Sequence, residues 1–174
     1  MARPNYPEPV NINMPASSGL YCDIDGFAEG LILIGQGRVM LTLDKELRRQ
    51  TLINMAEKHA MQFSPVEMAA FENMEVIGMP LSQLKSYLAS YKIESEAYYH
   101  QLGIKISIEE NELGEWIQSA KQARNSNTGY PLRIALKADR YTDYPLIKRV
   151  FDVLQDKHIN KFRLITETKS LNQD

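Results

Sequence analysis

The chain has 174 residues, of which 44% are hydrophobic and 24% are charged, and its formal net charge is -2. These values are ordinary for one globular domain, or for one domain with an elaboration, and they exclude the broad basic surface typical of nucleic-acid-binding proteins. No run approaches the roughly 20 apolar residues of a membrane helix, and the single cysteine, Cys22, cannot form an internal disulfide.

The first part of the chain, residues 1–29, is predicted to be an extended arm. It is rich in Pro, Asn and Ser, with prolines at positions 4, 7, 9 and 15. Proline opposes helix and favours extended backbone, and residues 10–14 have strand potential. The remaining residues, 30–174, are predicted to form the folded domain.

A hairpin is predicted at the start of that domain. The β-rich runs 31–34 and 39–43 flank Gly35-Gln36-Gly37-Arg38. A phosphate-binding glycine loop would be followed by a helix, whereas a strand follows here, so the glycines are assigned to turn geometry.

A helical insertion is predicted at about 44–108. Asp44 is expected to cap a helix that ends near residue 58, and a capping box at 64–67 opens a second helix to about residue 73. Leucines at 81, 84 and 88 mark a third helical face, and a short helix is predicted within 95–101. The methionines of this region could form an adaptable partner surface, although ordinary packing of small helices is the simpler interpretation.

Another helix is predicted to open at the capping box 107–110 and to run to about Arg124. Its apolar residues fall on one face, and Trp116, the only tryptophan, lies among them. We therefore expect Trp116 to pack in the core.

The last quarter predicts a strand, a helix and a second, parallel strand. Residues 132–137 alternate apolar and charged side chains, and 162–166 form a second β-rich run. Between them Asp143 is expected to cap a helix with Pro145 in its first turn. This order is typical of a βαβ unit.

Catalysis is not predicted. The three histidines are dispersed in sequence, and no serine or cysteine lies in a nucleophile motif. Asp139 and Asp143 follow a strand end, where a cation could bind. Turn chemistry explains Asp139 and helix capping explains Asp143, so no enzyme activity, cofactor or metal is expected.

Two separated motifs stand out in the sequence. The C-terminal motif consists of Lys137-Ala138-Asp139, Asp143-Tyr144, Val150-Phe151-Asp152-Val153-Leu154 and Leu164-Ile165-Thr166-Glu167. The second motif is Val10-Asn11-Ile12-Asn13-Met14-Pro15-Ala16-Ser17. Together they resemble the ExbD/TolR family of biopolymer-transport proteins. Members of that family have a C-terminal R/K-A-D turn, then D-Y, an amphipathic helix and a closing strand, and a V-N-L-P-A-S segment just outside the membrane.

The resemblance implies an α+β fold in which two core helices cover one face of a mixed sheet. It also implies the periplasmic domain of an inner-membrane subunit, separated from its membrane helix. Such a subunit would work beside an ExbB/TolQ-like proton channel and couple proton motive force to a TonB- or TolA-like protein. A homodimer is expected, with the arm contributing to it. The family's proton-linked aspartate lies in the membrane helix, so no residue here takes that role.

The resemblance suggests five partner-binding residues: Asn13, Met14, Pro15, Asp139 and Tyr144. An alternative is a TolR-like module that binds peptidoglycan and anchors a motor complex to the cell wall. A TonB-type site would have an unpaired strand edge, whereas a sugar-polymer groove would have aromatic platforms with amide or carboxylate groups.

Overall fold

The computed structural model describes residues 8–17, 28–91, 96–165 and 167–168. Its strands are β1 Ala16–Ser17, β2 Gly30–Gly35, β3 Arg38–Leu43, β4 Ile134–Ala138, β5 Phe162–Ile165 and β6 Glu167–Thr168. Its helices are α1 Lys45–Lys58, α2 Pro65–Asn73, α3 Leu81–Ala89, α4 Glu96–Tyr99, α5 Glu112–Thr128 and α6 Tyr144–Asp156.

Four of the strands form a mixed sheet in the order β3-β2-β4-β5. β2 and β3 are the predicted antiparallel hairpin, while β2, β4 and β5 are mutually parallel. Gln36 and Gly37 make the hairpin turn with φ angles of 53° and 71°, as a two-residue turn between twisted strands requires. The predicted α+β class, hairpin and parallel β4–α6–β5 unit are therefore confirmed. The assignment of Gly35 to the turn is wrong, because Gly35 is the last residue of β2 and pairs with Arg38.

Helices α1, α2, α3, α5 and α6 cover one face of the sheet, whereas the short α4 contributes Tyr98 to the opposite face. Ile32, Ile34 and Leu136 point to this face and belong to the same buried cluster as Trp116 of α5 and Val150 of α6. Helix α1 also contributes its buried Leu52 and Met55, so the helical layer is larger than the two helices expected. The methionines of 44–91 are buried or packed against this cluster, which confirms the packing interpretation.

The predicted helix starts are only partly correct. The capping box at Ser64 and Glu67 is present with both of its hydrogen bonds. Asp44 and Asp143 occupy N-cap positions, but neither side chain makes a capping bond. A capping side chain would accept from the backbone amide three residues later. In α1 and α6 that amide donates instead to the backbone carbonyl of the aspartate.

Helix α5 starts later than predicted. Asn111 is its N-cap, and the Asn111 side chain accepts a 3.1 Å hydrogen bond from the amide of Gly114. Ser107 accepts from the amide of Glu110 at 2.9 Å in a separate turn. The reason is tertiary, because Arg149 of α6 donates to the carbonyls of Ile106 and Ser107 at 3.0 and 2.8 Å. Ile106 and Asn111 also form an isolated antiparallel bridge, so residues 106–111 make a closed turn rather than the first turn of a helix.

The arm covers part of the opposite face of the sheet. Val10 is buried there with Leu33, Met40, Val76 and Tyr98. The strand potential at 10–14 is not realised, because this segment lies on the sheet rather than at its edge. β1, just after it, pairs in parallel with β6.

Candidate partner-binding site

The arm is held against the turn that follows β4. The Asn13 amide donates to the Asp139 carboxylate at 2.9 Å, and the Arg140 amide donates to the Asn13 carbonyl at 2.7 Å. The Arg140 guanidinium also donates to the Met14 carbonyl at 3.1 Å. Two segments 126 residues apart in sequence are thereby joined.

Two further contacts fix the arm along the sheet. Lys137 Nζ lies 2.7 and 2.9 Å from the two carboxylate oxygens of Glu8. At Gly35 a Cβ atom would lie 3.0 Å from the Asn11 carbonyl oxygen and 3.1 Å from an Ile12 side-chain carbon. Because a larger residue at Gly35 would crowd the arm, this glycine permits the close approach.

The structure therefore brings together part of the predicted site. Asn13, Met14 and Asp139 form one hydrogen-bonded cluster, and Pro15 is half-buried beside it in sequence. Tyr144, at the start of α6, is 73% exposed. Among the residues that the structure describes, Tyr144 makes no hydrogen bond or ring contact with the arm. The cluster explains how the arm is seated in its own chain.

The seating of the arm yields a testable prediction. Replacing Asp139 with alanine removes the acceptor of the Asn13 amide, and we expect a loss of about 1 kcal/mol in unfolding free energy. Hydrogen exchange at the Asn13 and Arg140 amides should become faster. Asp143→Ala is the matched control because the Asp143 side chain makes no capping bond. If both amides kept their protection from hydrogen exchange in Asp139→Ala, the bond between the arm and Asp139 would not hold the arm in place.

The two edges of the sheet differ in how they are covered. The outer edge of β3 is paired, since Leu41 and Ile77 exchange backbone hydrogen bonds of 2.9 and 2.7 Å and the Ile104 amide donates to the Val39 carbonyl at 2.8 Å. β5 is the opposite edge strand. In the described parts of the chain, no residue bonds to its outer side. β5 thus presents backbone donors and acceptors to a further strand.

Side chains on β5 alternate between the two faces of the sheet. Phe162 lies beside Ile134 in the register, and its ring packs 5.2 Å from that of Phe151 in α6. Leu164, on the same face, is 52% exposed. Arg163 lies on the other face and is exposed. An apolar stripe and a basic stripe therefore flank one open edge.

A pocket of about 600 Å³ adjoins the start of β5. Its apolar wall includes Ile134, Ile159 and Phe162, and its rim carries Lys121, Lys161 and Arg163. The described lining contains no carboxylate. Lys161 and Arg163 are exposed and make no ion pair with any residue that the structure describes. The pocket combines apolar surface with positive charge.

A buried carboxylate, Glu29, is bonded to Arg133, which also lines this pocket. Glu29 is 6% exposed, and its oxygens lie 2.8 Å from Arg124, 2.9 Å from the Arg133 guanidinium and 2.8 Å from the Arg133 amide. Burial alone would raise the pKa of Glu29, but the hydrogen bonds from Arg133 and the charges of Arg124 and Arg133 together hold that pKa below its usual value. The arrangement fixes the start of β4 against the start of β2.

Neither a metal centre nor a membrane helix is found among the residues described. No group of three or more His, Cys, Asp and Glu side chains is placed to hold an ion there. None of the described helices combines the length and apolarity needed to cross a membrane. Cys22 lies outside the described residues.

Comparison with known proteins adds no relative. No protein family, no curated protein and no solved structure matches this chain significantly.

Sequence reasoning missed the β5 edge and its pocket. Phe162 and Leu164 were expected in a strand, but nothing local shows that this strand lies at the edge of the sheet. The alternation Lys161-Phe162-Arg163-Leu164 was the available signal. It is the pattern of a strand with one apolar and one polar face.

Proposed function

We propose that this chain is the periplasmic domain of an ExbD-like inner-membrane subunit that acts by protein–protein interaction. The observation that carries the proposal is the open edge of β5, flanked by exposed Leu164. An extended segment of a TonB-like partner would add to this edge as a further strand. Main-chain hydrogen bonds would supply affinity, and the side chains beside the edge would supply specificity.

The two sequence motifs give the proposal its second support. The segment similar to the membrane-proximal motif contributes Asn13 and Met14, and the segment similar to the C-terminal motif contributes Asp139. Their contact suggests that the motifs form one functional unit. An arm seated by a few hydrogen bonds can also leave its place and dock elsewhere, as in an order–disorder switch. The same contacts made between two copies would give an exchanged homodimer.

In this proposal the full-length protein is anchored in the inner membrane beside an ExbB/TolQ-like proton channel. The domain itself has no catalytic role. Proton flow would change the membrane-proximal arm, and the arm would change how the domain holds its partner. This sequence of events requires two discrete arrangements of the arm, docked and released.

Photo-crosslinking in cells tests the docking edge. A photoreactive residue at position 164 of the full-length protein should crosslink to the TonB-like partner. The same residue at position 108 should not, although Ile108 is 89% exposed and Leu164 only 52%. Non-specific crosslinking would favour position 108, which is more exposed, whereas strand addition at β5 favours position 164. Equal labelling at both positions would contradict docking at β5.

A charge substitution complements the crosslinking. Leu164→Lys should impair energy transduction while changing the unfolding free energy by no more than about 0.5 kcal/mol, because Leu164 is largely exposed. Ile108→Lys is the control and should be neutral in both measurements.

Peptidoglycan binding remains the second candidate, since Tyr141 and Tyr144 are 76% and 73% exposed and could act as aromatic platforms. Sedimentation of the purified chain with cell wall, lost in Tyr144→Ala and kept in Leu164→Lys, would favour that candidate over strand addition.

A further inference from the structure

The alternation of side chains along β5 constrains what its partner can be. Phe162 and Leu164 face the helical side of the sheet, and Arg163 faces the other side. Lys161, two residues before Arg163, falls on the same side by the period of two. A strand added to β5 would place its own alternate side chains beside these two stripes.

The charge of this edge contrasts with that of the whole chain. The formal net charge is -2, yet the pocket at the start of β5 carries Lys121, Lys161 and Arg163 and no described carboxylate. Among the described residues the one buried carboxylate close by, Glu29, is already bonded to Arg124 and Arg133. Lys121 donates to the Lys157 carbonyl at 2.6 Å, whereas Lys161 and Arg163 make no ion pair with any described residue and are available to a partner.

We infer that the segment accepted by β5 is an extended acidic peptide in which apolar and acidic residues alternate. This inference rests on the proposed docking function and names the chemistry of the partner. The apolar residues lie against Phe162 and Leu164, and one of them enters the pocket beside Ile159. The acidic residues lie against Lys161 and Arg163.

The same charges exclude a competing occupant. Basic side chains on an edge strand discourage pairing with a second copy of that edge, because like charges would face each other. An acidic strand meets no such repulsion. The basic residues of β5 thus select an acidic partner in two ways: they attract its acidic side chains, and they repel a second copy of β5.

Three synthetic peptides test the inference with the full chain. Each alternates valine with polar residues, and the polar residues are glutamate, glutamine or lysine. By isothermal titration or fluorescence anisotropy at low salt, the glutamate peptide should bind about tenfold more tightly than the lysine peptide, the combined effect of a few exposed ion pairs. The preference should shrink as salt is added.

Charge reversal supplies the matched variants. In the double variant Lys161→Glu with Arg163→Glu, the order of the peptides should invert. Lys45→Glu with Lys148→Glu changes the net charge equally, at exposed positions of α1 and α6, and should leave the order unchanged.

Failure of the inference and failure of the docking proposal give different results. If all three peptides bind equally well, the acidic preference is wrong and the docking edge stands. If none binds, or if a photoreactive residue at position 164 crosslinks to a second copy of the chain, both are wrong. A preference that persists in the double variant would also overturn the acidic assignment.

Discussion

Replacing Trp116 with alanine is expected to remove about 4 kcal/mol of stability, the largest loss predicted for a single side chain here. Trp116 is fully buried in the main core, and its ring stacks on that of Phe71 with 5.7 Å between centroids. The core cannot collapse into a space of that size, so the cost includes the cavity as well as the lost apolar burial. Urea unfolding followed by circular dichroism measures the change without relying on tryptophan fluorescence.

Trp116→Phe is the matched control. The indole nitrogen of Trp116 is buried and has no hydrogen-bond partner among the described residues. Phenylalanine keeps the stacking on Phe71 and removes this unsatisfied donor, so we expect a loss of less than about 2 kcal/mol. Tyr130→Ala, at a position 68% exposed, should be nearly neutral. Equal destabilisation by the alanine and phenylalanine variants would refute a packing role for this side chain.

Glu29→Gln is expected to cost about 2–3 kcal/mol at neutral pH. The substitution leaves Arg124, whose side chain is only 18% exposed, without the carboxylate that neutralises it. It also weakens the link between the starts of β2 and β4, where the Arg133 amide donates to Glu29 at 2.8 Å. Asp156→Asn offers a control that removes one acidic charge at an exposed position.

The Glu29 effect has a defined pH dependence. The pKa of Glu29 is lowered in the folded state from an ordinary value of 4.5. Its stabilising contribution is therefore complete above that ordinary value and is lost as the pH falls through the lowered folded pKa. The difference in unfolding free energy between the original chain and Glu29→Gln should shrink in acid below about pH 4.5. A difference that stays constant from neutral pH to acid would contradict this ionic role.

Local rules predicted the elements whose geometry depends on neighbouring residues. The hairpin turn needs positive φ at two positions, and Gly37 signals one of them. Gln36 adopts a φ of 53° although glutamine does not favour it. The capping box at Ser64 and Glu67 depends on residues three apart. Trp116 was correctly placed in the core from helical periodicity alone.

Predictions failed where a distant residue competes for a local bond. The start of α5 was placed too early because Ile106 bridges to Asn111 and Arg149, on another helix, bonds to the carbonyls of Ile106 and Ser107. The position of β5 at the sheet edge depends on strand order, which no window of sequence contains. Asn13, Met14 and Asp139 were selected by family resemblance, and spacing alone would not have connected them. The role of Tyr144 stays a prediction.

The parallel pairing of β2 with β4 has a consequence for how the chain acquires its structure. Strands β2 and β3 are close in sequence, so their hairpin can form early. Glu29 and Arg133, which lie at the start of the β2–β4 pair, are 104 residues apart. The chain must lose the conformational entropy of closing so long a loop before the β2–β4 pairing can stabilise it. Such non-local contacts slow folding. During synthesis the edge of β2 that later pairs with β4 therefore stays unpaired by β4 until β4 has been synthesised. In that interval β2, with its run of apolar residues, is the segment most exposed to pairing with another nascent chain.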